Sequence, residues 1–227
     1  MTSHPAMIFA AGLGTRMGAL TADRPKPLIE VAGRRLIDQA LDFAREAGAE
    51  PTVVNVHYKA DQLRTYLASH PVRISDESER LLETGGGLKA ALPLLGQGPV
   101  WTLNSDAAWT GPNPLIALGQ AWSPRMEALL LLVPTSQALG YAGQGDFDID
   151  PTGRLARGTG HVYTGAQILR TEGLAEISDP VFSLNRLWDR AAARGGLFGL
   201  VHEGQWCDVG RPENLRLAER LLQAEAG

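Results

Sequence analysis

Directly after an apolar run at Ala6–Ala10 the chain reads Ala11-Gly12-Leu13-Gly14-Thr15-Arg16-Met17. Glycines at this spacing let backbone N–H groups approach a ligand closely, and a turn rich in such donors can cradle a phosphate. A dinucleotide-binding fingerprint would need a third glycine where Met17 stands, and a regular helix soon after. Pro25 and Pro27 forbid that helix. A P-loop fails as well, because no Gly-Lys-Ser/Thr closes the segment. A plain glycine turn remains the competing account. Two cations weigh against it. Arg16 lies inside the loop, and Lys26 sits in Arg24-Pro25-Lys26-Pro27, where flanking prolines aim the ammonium at small entropic cost. Two carboxylates hold comparable places further on. Asp106 follows the apolar strand Val100–Asn104 and so emerges at a carboxyl end, where open α/β sheets bind ligands. Asp208 follows a second strand and precedes Val209-Gly210. One carboxylate from each, with substrate phosphates and waters, is a common way of holding magnesium. A helix N-cap at Asp106 and an ordinary turn residue at Asp208 also account for them.

The elements that would position these groups alternate along the first two-thirds of the chain. Strands are expected at Ala6–Ala10, Thr52–Val56, Val72–Ser75, Val100–Asn104 and Glu127–Val133. Between them, apolar residues at helical spacing predict helices at Arg34–Gly48, Lys59–Ser69, Gly86–Leu95 and Asn113–Ala121. Such alternation points to βαβ units around a mostly parallel sheet. In the last third, Phe147–Asp150 and His161–Leu169 read as antiparallel strands, with a turn at Pro151–Arg154. A helix at Pro180–Arg194, strands at Leu197–Val201 and Gln205–Asp208, and a final helix from Pro212 follow. No linker, repeat or low-complexity tract divides the 227 residues, so one domain is expected.

Composition narrows the partners. Hydrophobic residues are 44% and charged residues 20%, enough to bury a sizeable core. The net charge of −4 offers no general attraction to nucleic acid, so an anionic ligand must rely on local cations and amides. The five histidines lack metal-ligand spacing, and the five tryptophans are too scattered for a nucleic-acid platform. The single cysteine, Cys207, fits a reducing compartment and reads as a small buried hydrophobe. The N-terminal segment lacks the parts of a signal peptide, and the longest apolar run, Ala128–Val133, is too short to span a bilayer. A cytoplasmic protein with no membrane or nucleic-acid partner is expected.

Ala10–Met17, taken with Arg24–Ile37, resembles the signature of the sugar-1-phosphate nucleotidyltransferases. The similarity continues in order through Glu83-Thr84-Gly85-Gly86-Gly87, Asn104-Ser105-Asp106, Gly145-Asp146-Phe147, Tyr163-Thr164-Gly165 and Trp206-Cys207-Asp208-Val209-Gly210. It is greatest to the short uridylyltransferase branch that acts on N-acetylmuramic acid α-1-phosphate. The resemblance implies a three-layer Rossmann-like, glycosyltransferase-A-like α/β fold with a mixed, mostly parallel central sheet. It implies a nucleotide-binding part at about 1–135 and a sugar-binding or lid part at about 136–227. The implied reaction joins a nucleoside triphosphate (UTP for this branch) to the sugar 1-phosphate with Mg²⁺, releasing pyrophosphate. GTP with mannose 1-phosphate is the rival pair, and a nucleotide-binding regulatory module the non-enzymatic one.

Residue by residue, the resemblance implies that Ala11, Gly12, Leu13, Gly14 and Thr15 cradle the nucleotide. Arg16 fits the β- and γ-phosphates as a bidentate fork, and Lys26 the α-phosphate or incoming sugar phosphate as a point charge. Gly85 and Gly86 would let the base lie against the backbone, Glu83 or Thr84 would hydrogen-bond its edge, and Asn104 would take the ribose or a phosphate. Asp146, Thr164 and Gly165 would lie near the sugar, and Asp106 and Asp208 on magnesium. A helix cap at Thr84 and an ordinary hairpin aspartate at Asp146 are the competing accounts. Arg157 and His161 are candidates to meet a lactyl carboxylate. The chain departs from its relatives at Ser105, where they carry glycine, and in the apolar Ala107-Ala108-Trp109.

Overall fold

The computed structural model describes residues 3–226. Strand β1 (Ala6–Phe9) is followed by two 3₁₀ segments, Thr15–Thr21 and Lys26–Leu28, and by a short hairpin, β2 (Glu30–Val31) and β3 (Arg34–Arg35). Next come α1 (Leu36–Glu46), β4 (Thr52–Val56), α2 (Ala60–Leu67), β5 (Arg73–Asp76), α3 (Glu83–Leu95), β6 (Val100–Asn104), β7 (Ala107–Trp109), α4 (Pro114–Ala121) and β8 (Ala128–Pro134). The last third holds β9 (Ala138–Leu139), β10 (Phe147–Ile149), β11 (Leu155–Arg157), β12 (His161–Leu169), α5 (Asn185–Ala193), β13 (Leu197–Val201), β14 (Trp206–Asp208) and α6 (Pro212–Ala226).

A nine-stranded sheet runs in the order β11-β10-β12-β6-β1-β4-β5, with β8 pairing β12 and β13 off that path. Strands β5, β4, β1 and β6 are parallel, so their carboxyl ends share one edge. β12 enters antiparallel beside β6. Successive residues of β1 show the layering, since side chains along a strand alternate between faces. Met7 packs into a core with Val53, Leu88, Leu130 and Trp188. Ile8 packs into the opposite core with Ile37, Val54, Leu63 and Leu115. Helices α1, α2 and α4 thus cover one face, and α3 and α5 the other. This is the three-layer α/β architecture with a mixed sheet and a parallel heart that the family resemblance implied.

Three differences from the expected elements have local causes. Arg34 and Arg35 pair in the β2–β3 hairpin, so α1 starts later than expected, with Asp38 Oδ2 accepting from Arg35 N at 3.0 Å. The helix expected from Pro180 begins at Asn185. Its first residues instead lie along α3, where the Phe182 carbonyl accepts the N–H groups of Gly85 and Gly86 at 2.8 and 3.0 Å. The turn after β10 returns as the extra strand β11, because Asp150 Oδ1 collects the N–H groups of Thr152 and Arg154 at 2.8 and 3.0 Å.

Candidate active site

The glycine loop leaves the carboxyl end of β1, and its shape is fixed by residues outside it. Gly14 has φ +64°, and a Cβ there would come 2.9 Å from the Thr21 methyl carbon. Thr21 Oγ1 donates at 3.1 Å to both Gly14 O and Gly18 O, and the Tyr58 hydroxyl donates to Thr21 O at 2.9 Å. Lys26 stands on the second 3₁₀ turn, only 7% exposed, with its Nζ donating to Asp106 Oδ2 at 2.8 Å. A buried ammonium needs such a partner.

The two carboxylates are brought together by a pair of three-residue strands. β7 and β14 pair antiparallel with Asp208 opposite Ala107, and Val209 N donates to Asp106 O at 3.1 Å. Ser105 is buried, and its hydroxyl donates to Phe9 O at 2.7 Å, tying this turn to the end of β1. Burial, and then the neighbouring Asp106 charge, push the Asp208 carboxyl above its ordinary range, while Lys26, Arg16 and Arg211 pull it down. A Cβ on Gly210 would lie 2.7 Å from Asp208 Oδ2 and 3.1 Å from an Arg16 guanidinium nitrogen. Both side chains therefore close over that glycine. Among the described residues no group of three or more His, Cys, Asp or Glu could hold a metal unaided. Two carboxylates already gathered around a cation fit an ion that takes its remaining ligands from phosphates and water.

Two clefts meet here. One, of about 440 Å³, is lined by Ala11, Gly12, Gly14, Thr15, Arg16 and Lys26 of the glycine-loop segment, by Glu83 and Thr84 at the start of α3, and by Asn104 and Asp106 at and just past the end of β6. Glu83 has φ +59°, an uncommon conformation for a residue with a side chain and one that clusters at functional sites. Leu13 is not on that wall and is 43% exposed. Gly85 and Gly86 also lie off the wall. A Cβ on Gly86 would come 2.2 Å from Pro180 O, so these glycines let α3 dock against residues 180–182.

The second cleft, about 410 Å³, shares Arg16, Asn104 and Asp106 and adds Tyr141, Tyr163, Thr164, Trp206, Asp208 and Arg211. Thr164 and Gly165 fall where the β12–β8 register shifts, and bulges often aim side chains beside active sites. Gly165, with φ +91°, packs so closely on Asn104 that a Cβ would meet its side chain at 2.8 Å. Asp146 stands behind this cleft, accepting from Tyr163 N at 2.9 Å and from the Tyr141 hydroxyl at 3.4 Å. Arg157 is held elsewhere by Asp189 Oδ1 and Asn185 Oδ1, at 2.7 and 2.8 Å, and neither it nor His161 lines this cleft. Arg211 escaped sequence reasoning, as did Asn55, Glu77 and Ser183 in the first cleft, while Tyr163 and Leu81 were reached only as parts of a motif and a loop, without a role of their own. Asn55 and Glu77 carried a usable signal: they lie at the carboxyl ends of β4 and β5.

Residues 6–206 match the MobA-like NTP transferase domain. The chain belongs to this family. Among MobA-like NTP transferase relatives it is 44% identical to the N-acetylmuramate α-1-phosphate uridylyltransferase of Caulobacter vibrioides, covering 97% of each chain. It is 33% identical to the protein of the same name from Neisseria meningitidis serogroup B, over 96% of this chain and 98% of that one. The crystal structure of HddC from Yersinia pseudotuberculosis with GMP-PN superposes with a TM-score of 0.76 at 21% identity, covering 96% of this chain and 98% of that one; it shares the fold. The protein is thus an enzyme of the sugar-1-phosphate nucleotidyltransferases, a family that typically needs a divalent metal and joins a nucleoside triphosphate to a sugar 1-phosphate. Among the described residues no helix is long and apolar enough to cross a membrane.

Proposed function

We propose that the enzyme transfers the uridylyl group of UTP to N-acetylmuramic acid α-1-phosphate, with Mg²⁺ as its metal. The observation that carries this reading is the similarity, along nearly the whole chain, to two enzymes bearing that name. On this reading the first cleft takes the nucleotide and the second the sugar. An oxygen of the sugar phosphate attacks the α-phosphorus in line, the bond from that phosphorus to the bridging oxygen breaks, and pyrophosphate leaves. Such a step asks the protein for positioning and charge neutralisation, with little covalent work. Arg16, at the junction of both clefts, suits the departing phosphates. Lys26 suits the α-phosphate, exchanging its partner Asp106 for phosphate oxygens. Asp106 and Asp208 would hold Mg²⁺, which would neutralise charge on the phosphates. Arg211, whose nearest ion-pair partner is Glu213 at 3.9 Å with both side chains exposed, offers the sugar cleft a cation for a lactyl carboxylate.

A matrix of four nucleoside triphosphates against sugar 1-phosphates, read by pyrophosphate release, tests the pair. UTP with the muramic substrate should give the highest kcat/KM. Turnover of GTP with mannose 1-phosphate, and none for UTP with the muramic substrate, would overturn the substrate choice and leave the reaction class intact.

A further inference from the structure

In the lining of the proposed nucleotide cleft two polar side chains, each 3% exposed, face one another: Asn55 and Glu77. Asn55 Oδ1 accepts the N–H of Ala10 at 2.7 Å, at the root of the glycine loop. Asn55 Nδ2 donates to Glu77 Oε1 at 2.7 Å, and Glu77 Oε2 accepts the N–H of Leu82 at 3.1 Å. Leu82 immediately precedes Glu83, the wall residue with φ +59°. One continuous chain of hydrogen bonds therefore runs from the root of the glycine loop to the Leu82–Glu83 segment, both of which border the cleft. Gly87 leaves room for it, since a Cβ there would come 2.5 Å from Glu77 Oε1. Burying a carboxylate is costly, and burial pushes this one above its ordinary range while Asn55 and Leu82 hold it down. A hydrophobic pair would fill the same space without that cost, but would leave two backbone donors unmet.

We infer that Asn55 and Glu77 are positioning residues, a buried amide–carboxylate pair that sets the spacing between the glycine loop and the Leu82–Glu83 wall and so the affinity for the nucleoside triphosphate. The inference rests on the nucleotide reading of this cleft. Its chemistry is directional: both oxygens of Glu77 must accept, and Asn55 must accept on one side and donate on the other. Glu77→Gln presents an NH₂ to one of two donors, and Asn55→Asp sets a carboxylate against a carboxylate. Made together, they restore every bond with the roles exchanged. Asp at 55 accepts from Ala10 N and from the Gln NH₂, and the Gln carbonyl at 77 accepts from Leu82 N.

The test is steady-state kinetics of the two single variants and the double, with nucleotide and sugar phosphate varied in turn. Each single variant should raise KM for the nucleoside triphosphate on the order of tenfold, with KM for the sugar phosphate and kcat changed far less. The double should recover most of that loss, which a mere loss of packing would not do. If a single variant does not fold, the double must both fold and show a nucleotide KM near that of wild type. An unchanged nucleotide KM in Glu77→Gln, or a double no better than the singles in folding or KM, overturns the inference. Arg16→Ala and Lys26→Ala run alongside separate the two failures. If they lose activity while Glu77→Gln is normal, only the positioning role falls; if all are normal, the cleft itself is misassigned.

Discussion

Lys26 is the residue on which the proposed chemistry turns, because its ammonium is buried, aimed and already paired with Asp106. Removing it takes away a charge near the phosphates and leaves Asp106 beside Asp208 without that cation. Lys26→Ala and Arg16→Ala should each lower turnover at least about tenfold with the circular-dichroism spectrum unchanged, as expected for lost electrostatic stabilisation. Near-normal turnover by a folded Lys26→Ala would remove it from the site. Asp106→Asn and Asp208→Asn keep shape and remove charge, so each should nearly abolish activity across a magnesium titration. If Asp208→Asn matches wild type throughout, Asp106 alone remains as a metal residue. At this scale the sequence was legible where spacing is unusual: two prolines around a lysine, one aspartate just past a strand end and one at the end of another. Arg211 sits in the loop that follows β14, and nothing local in its sequence betrays a cleft. Gly85 and Gly86 carried the opposite lesson, since the same glycines that could admit a base here admit a neighbouring carbonyl.

The elements that gather the carboxylates are small. β7 and β14 have three residues each, and Gln39 extends their pairing by imitating backbone: its Nε2 donates to Trp109 O at 2.8 Å and its Oε1 accepts Trp109 N at 3.0 Å. β7, with three residues, and β9, with two, are too short to show an alternating pattern and were not read from the sequence, whereas the helices and the parallel strands β1, β4, β5 and β6 were. α3 depends on a close approach. Gly86→Ala would push a methyl into Pro180 O, 2.2 Å away, and should destabilise the fold by roughly 1–3 kcal/mol, the usual cost of overpacking. Urea unfolding with an unchanged m-value checks this. A Gly86→Ala protein as stable as wild type would mean that the 180–182 segment moves aside freely.

Across the whole molecule, the third core cluster joins α6 to β7 and the end of β14 through Cys207, Val209, Ala108 and Leu221. Cys207 is fully buried, and burial pushes its thiol up to about 11. It should therefore resist thiol reagents in the native enzyme at pH 8 and react at once in denaturant, since the thiolate is the reactive form. Fast labelling of native enzyme would mean that α6 opens readily. The shared wall of Arg16, Asn104 and Asp106 reaches further. If one cleft takes the nucleotide and the other the sugar, the finished nucleotide-sugar is a two-headed ligand, each head tethering the other at high local concentration. Such a product leaves reluctantly. Its accumulation would slow the enzyme that made it, and a short linker between a nucleoside and a sugar mimic would make an inhibitor stronger than either half.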